Sequence, residues 1–437
     1  MRVLKFGSVC LASADRMKLV AEIVCNAPNN IVILSAIAGT THALEEISNY
    51  LYRKNIEGAN EVINKLETRI LAEISRLYES EKIKGQAIEL LATKIAYIRS
   101  FTKDLFTLFE ERIMLAQGEL LSSGLFHLLL VEQGKNASQI MALDFMRTDK
   151  NKEPDPAYIK ERLTALLDKE SDVDVFVTQG YICRNAYGEI DDLRSSGGSD
   201  YSACLIGAAV DADEIQIWTD LDRMQNNDPL IVSSAKPVDQ LSFDEAAELA
   251  YFGDKILHPT CVLPAKMANI PVRLKNLLEP QSQGTLISNA LVKGSVKAVA
   301  AKDGIIAIQI KSGRMLLAHG FLRKIFEVFD YHQTSIDMIV TSEVGVSVTI
   351  DNPRNLQEIV DDLKKFGTVS ADKDMTLICV VGDLDWQNVS SESIILDAVK
   401  TLPIRMISYG GSNYNVSFLV NGKDKKEALQ LLNAKLF

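Results

Sequence analysis

Long hydrophobic runs are missing from these 437 residues: no stretch approaches the eighteen or so consecutive apolar residues of a membrane-spanning helix. Paired cysteines are missing too. Cys10, Cys25, Cys183, Cys204, Cys261 and Cys379 are scattered singly, with no CxxC pair and no Cys/His set at zinc spacing. That usage suits a reducing cytosol and argues against a disulfide framework. There is no basic excess. A formal net charge of −11 leaves no broad positive surface to displace counterions from nucleic acid or an anionic membrane, so neither is expected as a partner. Small anions stay open, because a few lysines and helix N-termini outweigh a distant negative field. GxxxxGK[ST] is also absent, which excludes a P-loop enzyme. The opening Met1-Arg2-Val3-Leu4-Lys5 reads as a short strand, not a signal peptide, and a cytoplasmic location is expected.

What is present is enough chain for several cores. Val3–Phe6 and Ile31–Ser35 read as short buried strands, with helical apolar spacing over Ala14–Val24 between them. This alternation predicts a mainly parallel sheet covered by helices. Helical patterns dominate from Ala43 to Leu130, and Pro154 and Pro156 mark a surface turn. Strands resume at Val173–Thr178 and Ile215–Thr219, separated by a glycine-rich segment and a small-residue helix over Ala203–Val210. Near residue 290 the pattern changes to alternating strands that frame helices. Two rounds of a β-α-β-β-α pattern follow, each of about 65 to 70 residues, which predicts a weak internal repeat. The expected domains are 1–290, 297–370 and 371–437.

Four loops follow strands in the first 260 residues, where ligands bind in open α/β sheets. The first, Lys5-Phe6-Gly7-Ser8, places a lysine where it can neutralise phosphate, with small residues whose backbone N–H groups can approach its oxygens; a surface lysine before a turn reads the same way. Ser35 to His42 offers small residues and hydroxyls before a helix, either an anion seat or a helix cap. Ser196-Gly197-Gly198-Ser199-Asp200-Tyr201 opens another helix, with Asp200 available for an amine, a metal or a cap. Trp218 to Pro229 has the length and polarity of a nucleotide loop, and Phe252 to Pro259 brings a further lysine, Lys255, beside a small-residue turn. Each motif alone is ambiguous; their order decides.

That order resembles the aspartokinase family. Its pattern of KFGG-T-S-V, SAxAGxTN, a central GE, VTQGF, GRGGSD, WTDVxGxxxxDPR, FGAKxLHP and GGT is met in sequence by Lys5–Leu11, Ser35–His42, Gly118-Glu119, Val177–Tyr181, Gly197–Asp200, Trp218–Leu230, Phe252–Pro259 and Gly284-Thr285. Phe321-Leu322 and Ser335–Glu343 resemble the effector segment of the family's paired ACT domains. The resemblance implies an amino-acid-kinase fold, a mainly parallel open sheet sandwiched by helices, followed by two α+β ferredoxin-like ACT domains. It implies transfer of the ATP γ-phosphoryl group to the β-carboxylate of L-aspartate, with Mg²⁺ bridging the phosphates. A carboxylate nucleophile is already ionised at neutral pH, so the site must supply alignment and charge cancellation and needs no general base.

By the same resemblance Lys5, Asp200 and Lys255 are the catalytic candidates. Thr41, Glu119, Tyr181 and Ser199 would hold aspartate; Gly7, Ser8, Thr219, Asp220 and Lys255 would hold the nucleotide. No protein metal ligand is assigned. An effector amino acid, lysine or threonine, would contact Met315, Ala318, Phe321, Leu322, Ile336, Asp337, Thr341, Ser342 and Glu343, and a homodimer through the ACT domains is implied. Departures gather at ligand-facing positions. Ser196 stands where the family has an arginine, with Arg194 two positions away; Ser8-Val9-Cys10 replaces the second glycine and the T-S pair. His42, Arg223, Leu230 and Asp254 replace Asn, Gly, Arg and Ala. Two readings follow: a working kinase, or an impaired homologue that senses amino acids as a regulatory subunit. A kinase for a different acidic or carbamate-like substrate is a third.

Overall fold

The computed structural model describes the chain except residues 27–28, 104, 171, 194–196, 221–223, 253–259, 292, 294, 314–318, 386 and 388–390. The chain forms two compact units, Met1–Arg223 with Leu257–Asn289, and Met224–Ile256 with Ala290–Phe437.

The first unit is built on a sheet whose order here is Ala137–Gln139, Val175–Gln179, Asn30–Leu34, Arg2–Phe6, Glu214–Thr219, Val272–Asn276, Thr285–Ser288. All neighbours are parallel except the last pair. Buried on both faces, the inner strands read as near-continuous apolar runs, as parallel strands must. Phe6 pairs in register with Leu34 and Trp218, and Leu34 with Gln179, so the loops that follow these strands leave from one edge of the sheet. The chain runs from Arg2–Phe6 to one side first and returns on the other at Glu214–Thr219. Arg2–Phe6 is therefore a switch point, where a ligand crevice opens in such sheets.

The expected helical stretch resolves into Thr40–Tyr52, Ile56–Leu77, Glu81–Ser100 and Leu108–Glu132. The last opens with a Thr107/Glu110 capping box. It is long and apolar enough to cross a membrane by length and composition, yet most of it is buried in the fold. One expectation needs correcting. Pro156 does not end in a turn but opens the helix Pro156–Asp168, because proline at the first helical position gives up an N–H that has no partner there, and Asp155 caps Tyr158 N–H.

The second unit carries a six-stranded antiparallel sheet in the order Ile339–Ser342, Gly345–Ile350, Val296–Lys311, Thr368–Gly382, Asn415–Asn421, Ile404–Tyr409. Two hydrophobic cores lie against it. One joins Ile306, Ile308 and Ile310 to the helices Phe321–Tyr331 and Leu356–Leu363. The other joins Val299, Ile378 and Val380 to Ser391–Ala398 and Lys425–Leu436. These are the two expected repeats, but the two central strands run through both cores. Register shifts between Lys302 and Ala307, beside Gly304 at φ 75°, mark the change from one core to the other. Residues 224–256, which the sequence pattern puts with the first 290, pack in this unit: Val232 joins the second core and Asn227 Nδ2 donates to the Leu429 carbonyl at 3.1 Å.

Candidate active site

At the sheet's switch point Lys5 is nearly buried, and its ammonium lies 2.6 Å from Asp200 Oδ1. The approach is an ion-pair contact rather than an aligned hydrogen bond, so that buried oxygen lacks a hydrogen-bond partner among the described residues. Asp200 sits in the first turn of the helix Gly198–Ala209, which starts earlier than the sequence pattern indicates and takes Ser199 and Asp200 into the helix itself. Gly197 precedes it at φ 111°, a left-handed conformation that suits glycine. Gly7 N–H donates to the Trp218 carbonyl at 3.2 Å, and a side chain at Gly7 would come within 3.6 Å of Lys5 Nζ. Ser8 is exposed at the start of a short 3₁₀ turn.

Glu119 is fully buried in the long helix Leu108–Glu132. Its Oε2 accepts the backbone N–H groups of Gly180, Tyr181 and Ile182 at 3.0, 2.8 and 3.4 Å. Oε1 has no hydrogen-bond partner among the described residues. Burial pushes the carboxyl up to about 8, against the three N–H groups and Lys5, which pull it down. An orphaned oxygen of this kind suits a bound ammonium. Gly180 is required here: a Cβ would stand 2.6 Å from Ser199 Cβ and 2.7 Å from Glu119 Oε1. Tyr181 is buried and turns its hydroxyl to the Leu115 carbonyl at 3.1 Å. Ser199 Oγ lies 3.0 Å from Ser35 Oγ, which ties the two loops together.

Thr41 lies in the first turn of Thr40–Tyr52, behind Gly39 at φ 75°. The loop before it is braced by Arg69, whose guanidinium donates to the Ala38 carbonyl and to Thr40 Oγ1, each at 2.9 Å. Burial lowers the Arg69 pKa. Asp220 pairs with Arg16 at 3.0 Å, and Arg16 also donates to the Val9 carbonyl at 2.6 Å, which joins two candidate nucleotide loops. The Thr219 carbonyl accepts Leu277 N–H at 2.8 Å. Cys10, in place of a family hydroxyl, donates to the Trp218 carbonyl, and burial pushes its thiol up to about 12.

Lys5, Glu119, Asp200, Ser199, Tyr181 and Gly7 are thus brought together. Arg16 and Arg69 are additions that sequence reading missed, whereas Ser35 lies in the Ser35–His42 loop it singled out and is given its own part only by the structure. The two arginines look like the polar faces of amphipathic helices, and nothing in their spacing marks them. Lys255, Arg194, Ser196, Arg223, Asp254, Met315 and Ala318 lie outside the described residues. Of the other altered positions, His42 is exposed, and Leu230 is 94% exposed.

The effector candidates divide. Phe321 is buried in the first core of the second unit and Ile336 packs against it, whereas Leu322 and Glu343 are exposed. Thr341 and Ser342 line a cavity of about 540 Å³ shared with Gln309, Lys311, Ser347 and Arg405. Asp337 is pinned elsewhere, by Tyr251 and Lys302.

Known proteins resemble this chain over its whole length. The amino acid kinase family profile matches residues 1–276, and an ACT domain profile matches 378–436. Aspartokinase 1, chloroplastic, of Arabidopsis thaliana is 32% identical over all of this chain and 80% of its own length. The lysine-sensitive aspartokinase 3 of Escherichia coli is 31% identical over all of this chain and 99% of its own. The crystal structure of E. coli aspartokinase III with aspartate and ADP, in its R-state, superposes with a TM-score of 0.82 at 30% identity and covers 100% of both chains. The T-state complex of the same enzyme with lysine and aspartate gives 0.82 at 31% identity, over 100% of this chain and 99% of that one. The chain belongs to the amino acid kinase family and, within it, to the aspartokinases with C-terminal ACT domains.

Proposed function

We propose that the chain transfers the γ-phosphoryl group of ATP to the β-carboxylate of L-aspartate, giving 4-phospho-L-aspartate, in the cytoplasm. The observation that carries this reading is Glu119, a buried carboxyl group with one oxygen held by three N–H groups and the other without a hydrogen-bond partner among the described residues, within electrostatic reach of Lys5. The α-ammonium of aspartate would meet Glu119 Oε1. Thr41 and Ser199 would orient the substrate, and Tyr181 would wall the pocket. Lys5, released from Asp200 by the incoming phosphates, would cancel charge between two anionic reactants, and Lys255 would join it. Ser8 would offer a backbone donor and Gly7, whose own N–H goes to the Trp218 carbonyl, room for close approach beside Lys5, with Thr219 and Asp220 lining the nucleotide site.

Mg²⁺ would arrive with the nucleotide. Among the described residues no three His, Cys, Asp or Glu side chains cluster as metal ligands. That donor set fits an ion held mainly by phosphates and water, with a single carboxylate such as Asp200. When bound, the ion neutralises phosphate charge; aligning the aspartate carboxylate is left to this chain's own residues.

Regulation through the ACT region by lysine or threonine, and a homodimer through that region, complete the proposal. They draw support from the relative described as lysine-sensitive. The decisive experiment is trapping of aspartyl phosphate with hydroxylamine. Hydroxamate that requires ATP, Mg²⁺ and L-aspartate together is expected. A folded protein that forms none at high substrate concentration would leave the amino-acid sensor as the better reading.

A further inference from the structure

The helix Ala14–Cys25 follows the 3₁₀ turn Ser8–Leu11 of the first candidate nucleotide loop. The N–H groups of a helix's first turn have no partner within the helix and must find one elsewhere. Ser13 Oγ accepts Arg16 N–H at 3.3 Å. The N–H of Ala14, a fully buried residue, goes to Glu73 Oε2 at 2.7 Å, on the separate helix Ile56–Leu77. Arg76 pairs with Asp15 at 2.7 Å and lies 3.7 Å from Glu73 Oε1. Both Arg76 and Asp15 are exposed, so that pair contributes little. The bond from Glu73 to a buried N–H is the stronger tie, since nothing else in its place satisfies the donor.

Arg16 carries the connection onward. Its Nη1 donates to the Val9 carbonyl at 2.6 Å and lies 3.0 Å from Asp220 Oδ2. One helical turn is therefore fixed to Ile56–Leu77 at Ala14 and grips both candidate nucleotide loops at Arg16. Because Glu73 occupies the first N–H of Ala14–Cys25, contacts to phosphate fall to the turn before it, beside Lys5, and the helix start decides where that turn lies. Glu73 is also four residues beyond Arg69, on the same face of Ile56–Leu77. Arg69 braces the turn that holds Thr41. A single helix face thus serves two loops, with Arg69 on the aspartate side and Glu73 on the nucleotide side.

We propose that Glu73 is a positioning residue for the nucleotide. It anchors the start of Ala14–Cys25 and, through Arg16, sets the two loops at Val9 and Asp220 between which the nucleotide binds. The inference rests on the proposed nucleotide site and adds what holds that site in shape.

The test uses the full-length chain and its variants Glu73→Ala, Glu73→Gln and Arg16→Met. Ser13→Ala is the control, because it removes a cap from the same helix and leaves Glu73 in place. Calorimetry reads the affinities for Mg·ADP and L-aspartate separately, and steady-state kinetics reads KM for each substrate and kcat. E73A should weaken Mg·ADP binding and raise KM for ATP about tenfold, with aspartate affinity and kcat within about threefold. E73Q, whose amide oxygen still accepts the Ala14 N–H, should stay within about threefold of the unaltered protein throughout, and so should S13A. R16M should weaken Mg·ADP binding as E73A does, and the double variant should be no worse than the weaker single one. Equal losses for both substrates in E73A overturn the anchor. So does the same nucleotide loss in S13A or E73Q, or effects of E73A and R16M that multiply. If E73A does not fold, Glu73→Asp, one methylene too short to reach the N–H, is read against the same expectations. Nucleotide bound without turnover overturns the kinase reading alone, and the anchor is then judged on Mg·ADP affinity; a folded chain that binds no nucleotide overturns both.

Discussion

Glu119 carries a different burden on each of its oxygens, and the difference sets a pH dependence. Three N–H groups satisfy Oε2, while Oε1 is buried with no hydrogen-bond partner among the described residues. Burial raises the folded value from 4.5 to about 8, so the ligand-free folded protein holds a proton that the unfolded chain has lost between those limits. Stability from this group is therefore present below 4.5 and declines as pH rises towards 8. An ammonium against Oε1 reverses the preference. We predict that L-aspartate binding at about pH 6.5 releases close to one proton, and that affinity rises up to about tenfold per pH unit below that folded value. Calorimetry in two buffers of different ionisation enthalpy reads the proton count directly. Identical enthalpies in both buffers, or an unchanged release in Glu119→Gln, would sink the assignment. Sequence reading reached Glu119 through the Gly118-Glu119 motif, but it could not see that Gly180 exists to let this carboxylate and Ser199 approach. That close packing is formed by residues 60 to 80 positions apart on other elements.

Elements were legible where local chemistry fixes them. Ser13 capping Arg16 N–H, the Thr107/Glu110 box and the three-to-four spacing of Ile63, Leu66 and Ile70 are short-range facts, and the helices they specify are present. Contacts between elements were not legible. Arg69, on the helix Ile56–Leu77, braces the loop that enters Thr40–Tyr52 with two hydrogen bonds, yet in sequence it is one more charge on a polar face. Arg69→Met keeps the aliphatic stem and removes both bonds. Because Thr41 belongs to the braced turn, the expected result is a roughly tenfold rise in KM for L-aspartate, with kcat and KM for ATP changed less than about threefold. Steady-state kinetics with each substrate varied in turn decides it. An equal loss across both substrates would mean that Arg69 supports the fold and not the aspartate seat.

Over the whole molecule, the pattern of strands and helices yields the α/β sheet and the doubled ACT region, since each depends on a hydrophobic period repeated along the chain. It does not yield the nesting of the second unit. Periodicity has no memory of which core a strand faces, and Val296–Lys311 and Thr368–Gly382 change cores midway. Sharing two strands has an energetic consequence. Ile308 in the first core and Ile378 in the second are essentially fully buried on these shared strands, and trimming either to alanine costs about 2–5 kcal/mol. If the ladder between the strands couples the cores, that loss opens both together. Ile308→Ala should speed amide exchange in Val416–Val420 as well as in its own core, and Ile378→Ala should do the same in Val346–Ile350. Exchange confined to the altered core in both variants would show two independent folding units joined only by backbone. Because the second core also holds Val232 from the 224–256 segment, coupled opening would loosen that segment too, and its exchange supplies a third reading of the same cooperativity.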